Sequence, residues 1–330
     1  MRILIASSID AGAVESLQRE HDVVRRFNAT EDELRDAVPE SDVVVFRSGV
    51  RLSDAVISRA RPGTLLLRAG SGLDNVDVDS ATRCAVRVVR VPGSSAQPVA
   101  EFTFALLLSL ARNVTLADRL LRDRRWPKPD LGGPLLAGKT LGVVGAGNIG
   151  SRVGQMGAAW GMRVLGCVAT PDASVEKALR AKGVELTSFE RVVEEADFLC
   201  LHVPLTESTR HLVDGRVLAR MKRGSYLVNV ARGGVVDEAA LRLALLQGDR
   251  VLGAALDVHE TEGEGTRSPL ADLPNVVLTP HIGAMASDSQ RLIGERVVQL
   301  VAAHAEGRLD DVLDAQEVVE QGVTTKEMAS

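Results

Sequence analysis

Residues Leu141 to Gly150 read LGVVGAGNIG, and a helical pattern through Val153, Met156 and Trp160 follows. Apolar run, glycine turn and helix in that order are what a dinucleotide-binding βαβ unit requires. Glycines at 145, 147 and 150 let the backbone approach a pyrophosphate, whose charge then faces the free N–H groups of the helix N-terminus. A bare structural turn needs no such order. Gly145, Gly147 and Gly150 are therefore read as cofactor-binding.

Outward from this stretch, short apolar runs alternate with helical patterns, which implies an α/β chain with parallel sheets covered on both faces. RILIAS, DVVVFRS, TLLLRAG and VRVVRVP form one strand series; TLGVVGAG, MRVLGCV, DFLCLHVP, SYLVNVAR, LGAALDV and NVVLTP form another. A long apolar pattern from Gln97 to Leu121 lies between them, and a helix from Ser287 to about Ala305 follows the second. The simplest architecture is two Rossmann-like, doubly wound parallel-sheet domains. A nucleotide domain, residues 95–285, is inserted into a discontinuous substrate domain made of residues 1–94 and 286–330. The polar tail after Leu313 is expected to be loosely held.

Bulk properties narrow the function classes. A chain of 330 residues, 45% hydrophobic, exceeds what one core usually supports. A net charge of -5 offers no basic field, so no nucleic-acid partner is expected. The longest apolar run, FTFALLLSLA from Phe102, is too short for a membrane span and reads as a buried helix. MRILIASSID reads as a strand rather than a signal peptide. Cys84, Cys167 and Cys200 have no ligand-like spacing, so no metal is expected, and a reducing cytoplasm fits best.

Three further places carry chemistry, each just after a strand, at the edge where open α/β sheets bind ligands. NVARGG places Arg232 where a planar fork of donors can hold a carboxylate, or simply close a surface turn. LTPHIGA places His281, a residue suited to proton transfer near neutral pH, although a lone histidine there also suits a structural role. ALDVHETEGEG offers Glu260, Glu262 and Glu264.

The order RAGSGLDNVD, VAEFTFALLLSLAR, LGVVGAGNIG, LHVPLTESTRHL, NVARGGVVDEAAL, GAALDV and LTPHIGA resembles the NAD(P)-dependent D-2-hydroxyacid dehydrogenases, from about Phe46 to Leu309. The resemblance implies hydride transfer between a nicotinamide cofactor and C2 of a D-2-hydroxyacid or 2-keto acid. It implies a catalytic arginine, glutamate and histidine, here Arg232, Glu262 and His281. Glu262 matches better than Glu260 because the family's acid falls five residues after the aspartate of the ALDV-like strand, here Asp257. Gly263 stands where the family has a proline. In oxidation neutral His281 would take the hydroxyl proton, and Glu262 would fix its tautomer and favour its cation. Arg232 would clamp the substrate carboxylate. The resemblance further implies Asn148 and Ile149 at the pyrophosphate, Val203, Pro204 and Thr209 in the cofactor loop, and Asp257, the Ala231 backbone, His281 and Gly283 around the nicotinamide. His202 and His211 read as structural.

FRSGV and LLLRAGSGLDNVD are especially similar to D-3-phosphoglycerate dehydrogenases, which implies substrate contacts from Arg47, Ser48, Arg68, Gly70 and Ser71. Two cations at one pocket suit an anionic small molecule such as 3-phosphoglycerate. Lys128, in RDRRWPKPD, either approaches that pocket from a partner subunit or sits in a solvated basic loop. Hydroxypyruvate or glyoxylate reduction, or oxidation of another phosphorylated or phosphonate acid, is the alternative; a non-catalytic NAD-sensing regulator is the alternative of another class. No appended regulatory domain is expected, and members of this kind imply a homodimer.

The expected ribose-binding acid is missing. Counting along the resemblance it falls on Val168 in LGCVAT, so NAD is expected with NADP tolerated, and Thr170, Asp172 and Ser174 are the nearby groups able to bond either ribose.

Overall fold

A computed structural model describes residues 1–27, 29–92 and 95–319. The chain divides into two compact units, Met1–Ser95 with Ala284–Ser330, and Ala96–Gly283. The expected boundary at residue 94 and the tail from 320 lie outside the described residues.

The first unit holds strands β1 (Arg2–Ile5), β2 (Asp22–Arg25), β3 (Val43–Phe46), β4 (Leu65–Arg68) and β5 (Arg87–Arg90), all parallel in the order β2-β1-β3-β4-β5. Alternation along the strands sends Ile3, Ile5, Val43, Val45, Leu65 and Leu67 to one face, where Val14, Leu17, Ile293, Val297 and Leu300 cover them. Leu4, Val44, Phe46 and Leu66 go to the other face, against Leu34, Val56 and Ile57. With both faces buried the strands read as continuous apolar runs.

The second unit holds β6 (Thr140–Val144), β7 (Arg163–Cys167), β8 (Val184–Leu186), β9 (Phe198–Leu201), β10 (Ser225–Asn229), β11 (Val251–Leu256) and β12 (Val276–Leu278), parallel in the order β12-β11-β10-β9-β6-β7-β8. The order reverses between β6 and β9, which places a ligand-binding crevice beyond their carboxyl ends. Both units are doubly wound α/β sheets.

Three expectations need correction. Short edge strands β2 and β8 are absent from the series read in the sequence, because neither carries a continuous apolar run. The Gln97–Leu121 pattern is two helices, Ala96–Ala111 and Val114–Arg122, bent by 61° at Asn113, whose φ of 52° is left-handed. The tail is held as far as residue 319: Glu317 is 4% exposed and paired with Arg296 at 2.6 Å, and Val318 bridges Val89. Among the described residues no single helix is long and apolar enough to cross a membrane.

Candidate active site

The turn after β6 is built for close approach. Gly145 has φ +88°, and a Cβ there would stand 2.6 Å from the His202 carbonyl oxygen. A Cβ on Gly150 would stand 2.2 Å from the Gly145 oxygen, which is backbone and cannot yield. Gly147 differs, since a Cβ there would meet nothing within 4 Å. It leaves open room over the helix Asn148–Ala159, whose first amide bond back to the turn is Ser151 N–H to Gly147 O. The amides of Asn148, Ile149 and Gly150 precede that bond at the positive end of the helix, where a diphosphate fits.

Neighbouring strand ends are tied to this turn. The Cys167 carbonyl accepts the amides of Gly145 at 3.0 Å and Ala146 at 2.9 Å, which sets half-buried Val168 beside it. Asp172 is engaged as a helix cap: its Oδ1 accepts the Val175 amide and the Ser174 hydroxyl, while Thr170 is exposed. After β9, Val203 Cγ1 flanks Gly145, and the Thr209 hydroxyl donates to Pro204 O at 2.6 Å and accepts the Thr206 amide.

The structure brings Glu262 and His281 together, with Nδ1 to Oε2 at 2.9 Å. A carboxylate only accepts, so Nδ1 carries the hydrogen and Nε2 of the neutral ring keeps its lone pair for a substrate proton. The second Glu262 oxygen accepts the His259 amide at 3.1 Å. Burial pushes the Glu262 carboxyl up, but the bond to His281, the charge there and the His259 amide outweigh it and hold the group below the ordinary range. Glu260 instead bonds His211 Nε2 at 3.1 Å.

Arg232 stands on a turn braced by Asn229, whose side chain donates to Arg232 O at 3.0 Å and accepts the Ala231 amide at 3.0 Å. Arg232 Nη1 donates to the Ala231 carbonyl at 2.7 Å. The turn meets the Glu262 loop backbone to backbone: a Cβ on Gly233 would lie 1.7 Å from His259 O. Asp257, 1% exposed, clamps the histidine turn. Its Oδ1 accepts the Ile282 amide and Thr279 hydroxyl, its Oδ2 the Gly283 amide, and its carbonyl the His281 amide. The clamp holds His281 at φ 55°, a conformation uncommon outside glycine and frequent at functional sites.

The expected substrate-side residues lie in the other unit. Arg47 follows β3, its amide donating to Ser7 Oγ and its Nη1 to Gln290 Oε1 at 2.7 Å, and burial pushes its guanidinium below the ordinary value. Ser48 is half-buried beside it. Arg68 is 5% exposed and folds back on its own turn, with Nη1 to Ala69 O at 3.1 Å beneath Gly70; Ser71 O accepts Arg90. Lys128 is exposed.

Sequence reasoning passed over Asn229, Thr279, His259 and Glu238. Asn229 carried a signal, an Asx residue at a strand end three positions before an arginine that two glycines follow, where its side chain brackets the turn. The others act through contacts that spacing does not encode. Among the described residues no group of three or more His, Cys, Asp or Glu side chains is arranged to hold a metal ion.

Residues 104–283 match the family model of the D-isomer specific 2-hydroxyacid dehydrogenase, NAD binding domain. The chain is 39% identical over 303 residues to a hydroxypyruvate reductase of Thermotoga maritima, covering 91% of this chain and 97% of that one. It is 40% identical over 328 residues to the D-3-phosphoglycerate dehydrogenase of Mycobacterium tuberculosis, covering 99% of this chain but 60% of that one. The solved D-lactate dehydrogenase of Aquifex aeolicus, complexed with NAD and lactic acid, superposes with a TM-score of 0.81 at 28% identity over 94% of this chain and 97% of that one.

Proposed function

Because the chain belongs to the D-isomer specific 2-hydroxyacid dehydrogenase family, we propose that it transfers hydride between a nicotinamide cofactor and C2 of a small anionic D-2-hydroxyacid or 2-keto acid. The observation that carries this reading is the 2.9 Å bond between His281 Nδ1 and Glu262 Oε2, beside the Arg232 turn. A nicotinamide dinucleotide supplies the hydride carrier when bound. Gly145, Gly147, Asn148, Ile149 and Gly150 hold its diphosphate, and Val168, Val203, Pro204, Thr209, Ala231, Asp257 and Gly283 line the rest.

The chain's own groups handle the proton and the charge. His281 Nε2 accepts the substrate hydroxyl proton in oxidation and returns it in reduction. Glu262 holds the ring in the tautomer that leaves Nε2 free and compensates the positive charge formed on protonation. Arg232 binds the substrate carboxylate and polarises the C2 oxygen, which fixes the reacting carbon for transfer.

Arg47 and Arg68, with Ser48, Gly70 and Ser71, favour a substrate bearing a second anionic group, for which 3-phosphoglycerate is the first candidate. Hydroxypyruvate reduction is the second reading, favoured by the hydroxypyruvate reductase that the chain matches along 97% of its length. A homodimer is supported by Val114, Leu121, Trp126 and Leu135, which are 54–78% exposed, and a cytoplasmic location by three free thiols. The test is a turnover panel of 3-phosphoglycerate, glycerate, hydroxypyruvate and lactate, in the direction each permits, with NAD(H) and NADP(H). Turnover of at least one acid supports the reading. Cofactor binding without turnover of any acid favours the sensing alternative.

A further inference from the structure

Behind the catalytic pair lies a second group of titratable side chains. Glu238 opens the helix Glu238–Gln247 and is 3% exposed. Its Oε1 accepts the Glu260 amide at 2.8 Å, and Glu260 Oε1 accepts the Glu238 amide at 3.2 Å. This reciprocal pair pins residue 260 to a helix end, two positions before Glu262.

His259 lies between. Its Nε2 donates to Thr279 O at 3.0 Å, since a carbonyl only accepts, so the neutral ring presents a bare lone pair at Nδ1. That atom is buried without a hydrogen-bond partner and faces Glu238 Oε1 at 4.0 Å. The His259 ring and the Glu238 carboxylate therefore face each other in a buried site without a direct hydrogen bond. Burial pushes the Glu238 carboxyl up, the Glu260 amide and His259 oppose it, and the charges of Glu260 and Glu262 add to it. His211, on the far side of Glu260, is the remaining titratable group in the chain of contacts.

We propose that Glu238 is a positioning residue for the catalytic pair: bracketing Glu260 through their reciprocal amide–carboxylate bonds and standing against the His259 ring, it holds loop 258–262 in the register that delivers Glu262 to His281. The inference rests on the acid–base reading of that pair. His259 links the two layers, since its ring faces Glu238 while its own amide holds Glu262.

The experiment measures kcat, keto-acid KM and reduced-cofactor Kd on the full chain. Glu238→Ala lowers kcat about tenfold or more with KM and Kd unchanged, the scale of a misplaced catalytic group. Glu238→Gln, which keeps an acceptor for the Glu260 amide, restores kcat to within about threefold of wild type. In a Glu262→Gln background Glu238→Ala costs nothing further, whereas a general structural role adds its own loss. Wild-type kcat in Glu238→Ala, a Gln variant no better than the Ala variant, or additive losses overturns the inference. If Glu238→Ala does not fold, Glu260→Ala removes the other half of the bracket at an exposed position, and unchanged kcat there overturns it equally. His281→Ala run alongside separates the two readings: full turnover in it overturns the acid–base assignment and this inference with it. An inactive His281→Ala beside an unaffected Glu238→Ala overturns the positioning role alone.

Discussion

The Glu262 carboxyl is held below its ordinary range by its partner at 2.9 Å, and that shift has a stability consequence. A depressed acid contributes stability that is complete above its unfolded value, about 4.3, and is lost as pH falls through its lower folded value. The difference in melting temperature between wild type and Glu262→Gln therefore narrows as pH falls below about 4. A difference that widens on acidification would show that the Glu262 carboxylate does not stabilise the fold through His281. Val168 sets a second test at this scale, since the Cys167 carbonyl fastens its strand end to the glycine turn. Val168→Asp offers an acceptor to an NAD ribose and a like charge to a 2′-phosphate, so the NAD/NADP ratio of kcat/KM rises about five- to a hundredfold, roughly 1–3 kcal/mol. An unchanged ratio assigns ribose selection to another residue.

At the scale of elements, the candidate site is three loops brought together at the carboxyl edge of one sheet, after β10, β11 and β12. Gly233 marks the tightest contact, where a Cβ would lie 1.7 Å from His259 O and 2.4 Å from its carbonyl carbon. Neither neighbour is a flexible side chain, so Gly233→Ala separates the Arg232 turn from the Glu262 loop. Turnover falls by about a hundredfold while the diphosphate turn, on β6, still binds cofactor. Retained turnover in Gly233→Ala, read with cofactor titration as a folding control, would mean that the loops need no such contact. The helix break at Asn113 belongs here too. Val114–Arg122 has no buried residue, so its apolar side chains await a cover that Ala96–Ala111, largely buried, does not need.

For the whole molecule that exposed stretch makes an assembly prediction. Val114, Leu121, Trp126 and Leu135 are each more than half exposed, an apolar surface that a partner copy would cover. Light scattering is expected to give about twice 35.1 kDa at micromolar concentration. Leu121→Asp with Trp126→Asp is expected to shift the species toward a single chain. A monomeric wild type would leave the patch to another partner.

Two sheets, their strand directions and the dinucleotide turn were legible in the amino-acid order, because parallel strands buried on both faces must be apolar throughout and a glycine turn needs glycine wherever backbone meets backbone. Arg232, Glu262 and His281 were named by resemblance as candidate catalytic residues, and the five-residue count from Asp257 selected the same acid that bonds His281. Edge strands β2 and β8 were not, since burial on one side leaves too short a signal. Nor was the docking of residues 314–319, which depends on the pairing of Glu317 with Arg296 across 21 positions. The contact between Glu238 and His259 was hidden for the same reason: it is a 4.0 Å approach between side chains 21 residues apart, created only when β10 and β11 lie side by side.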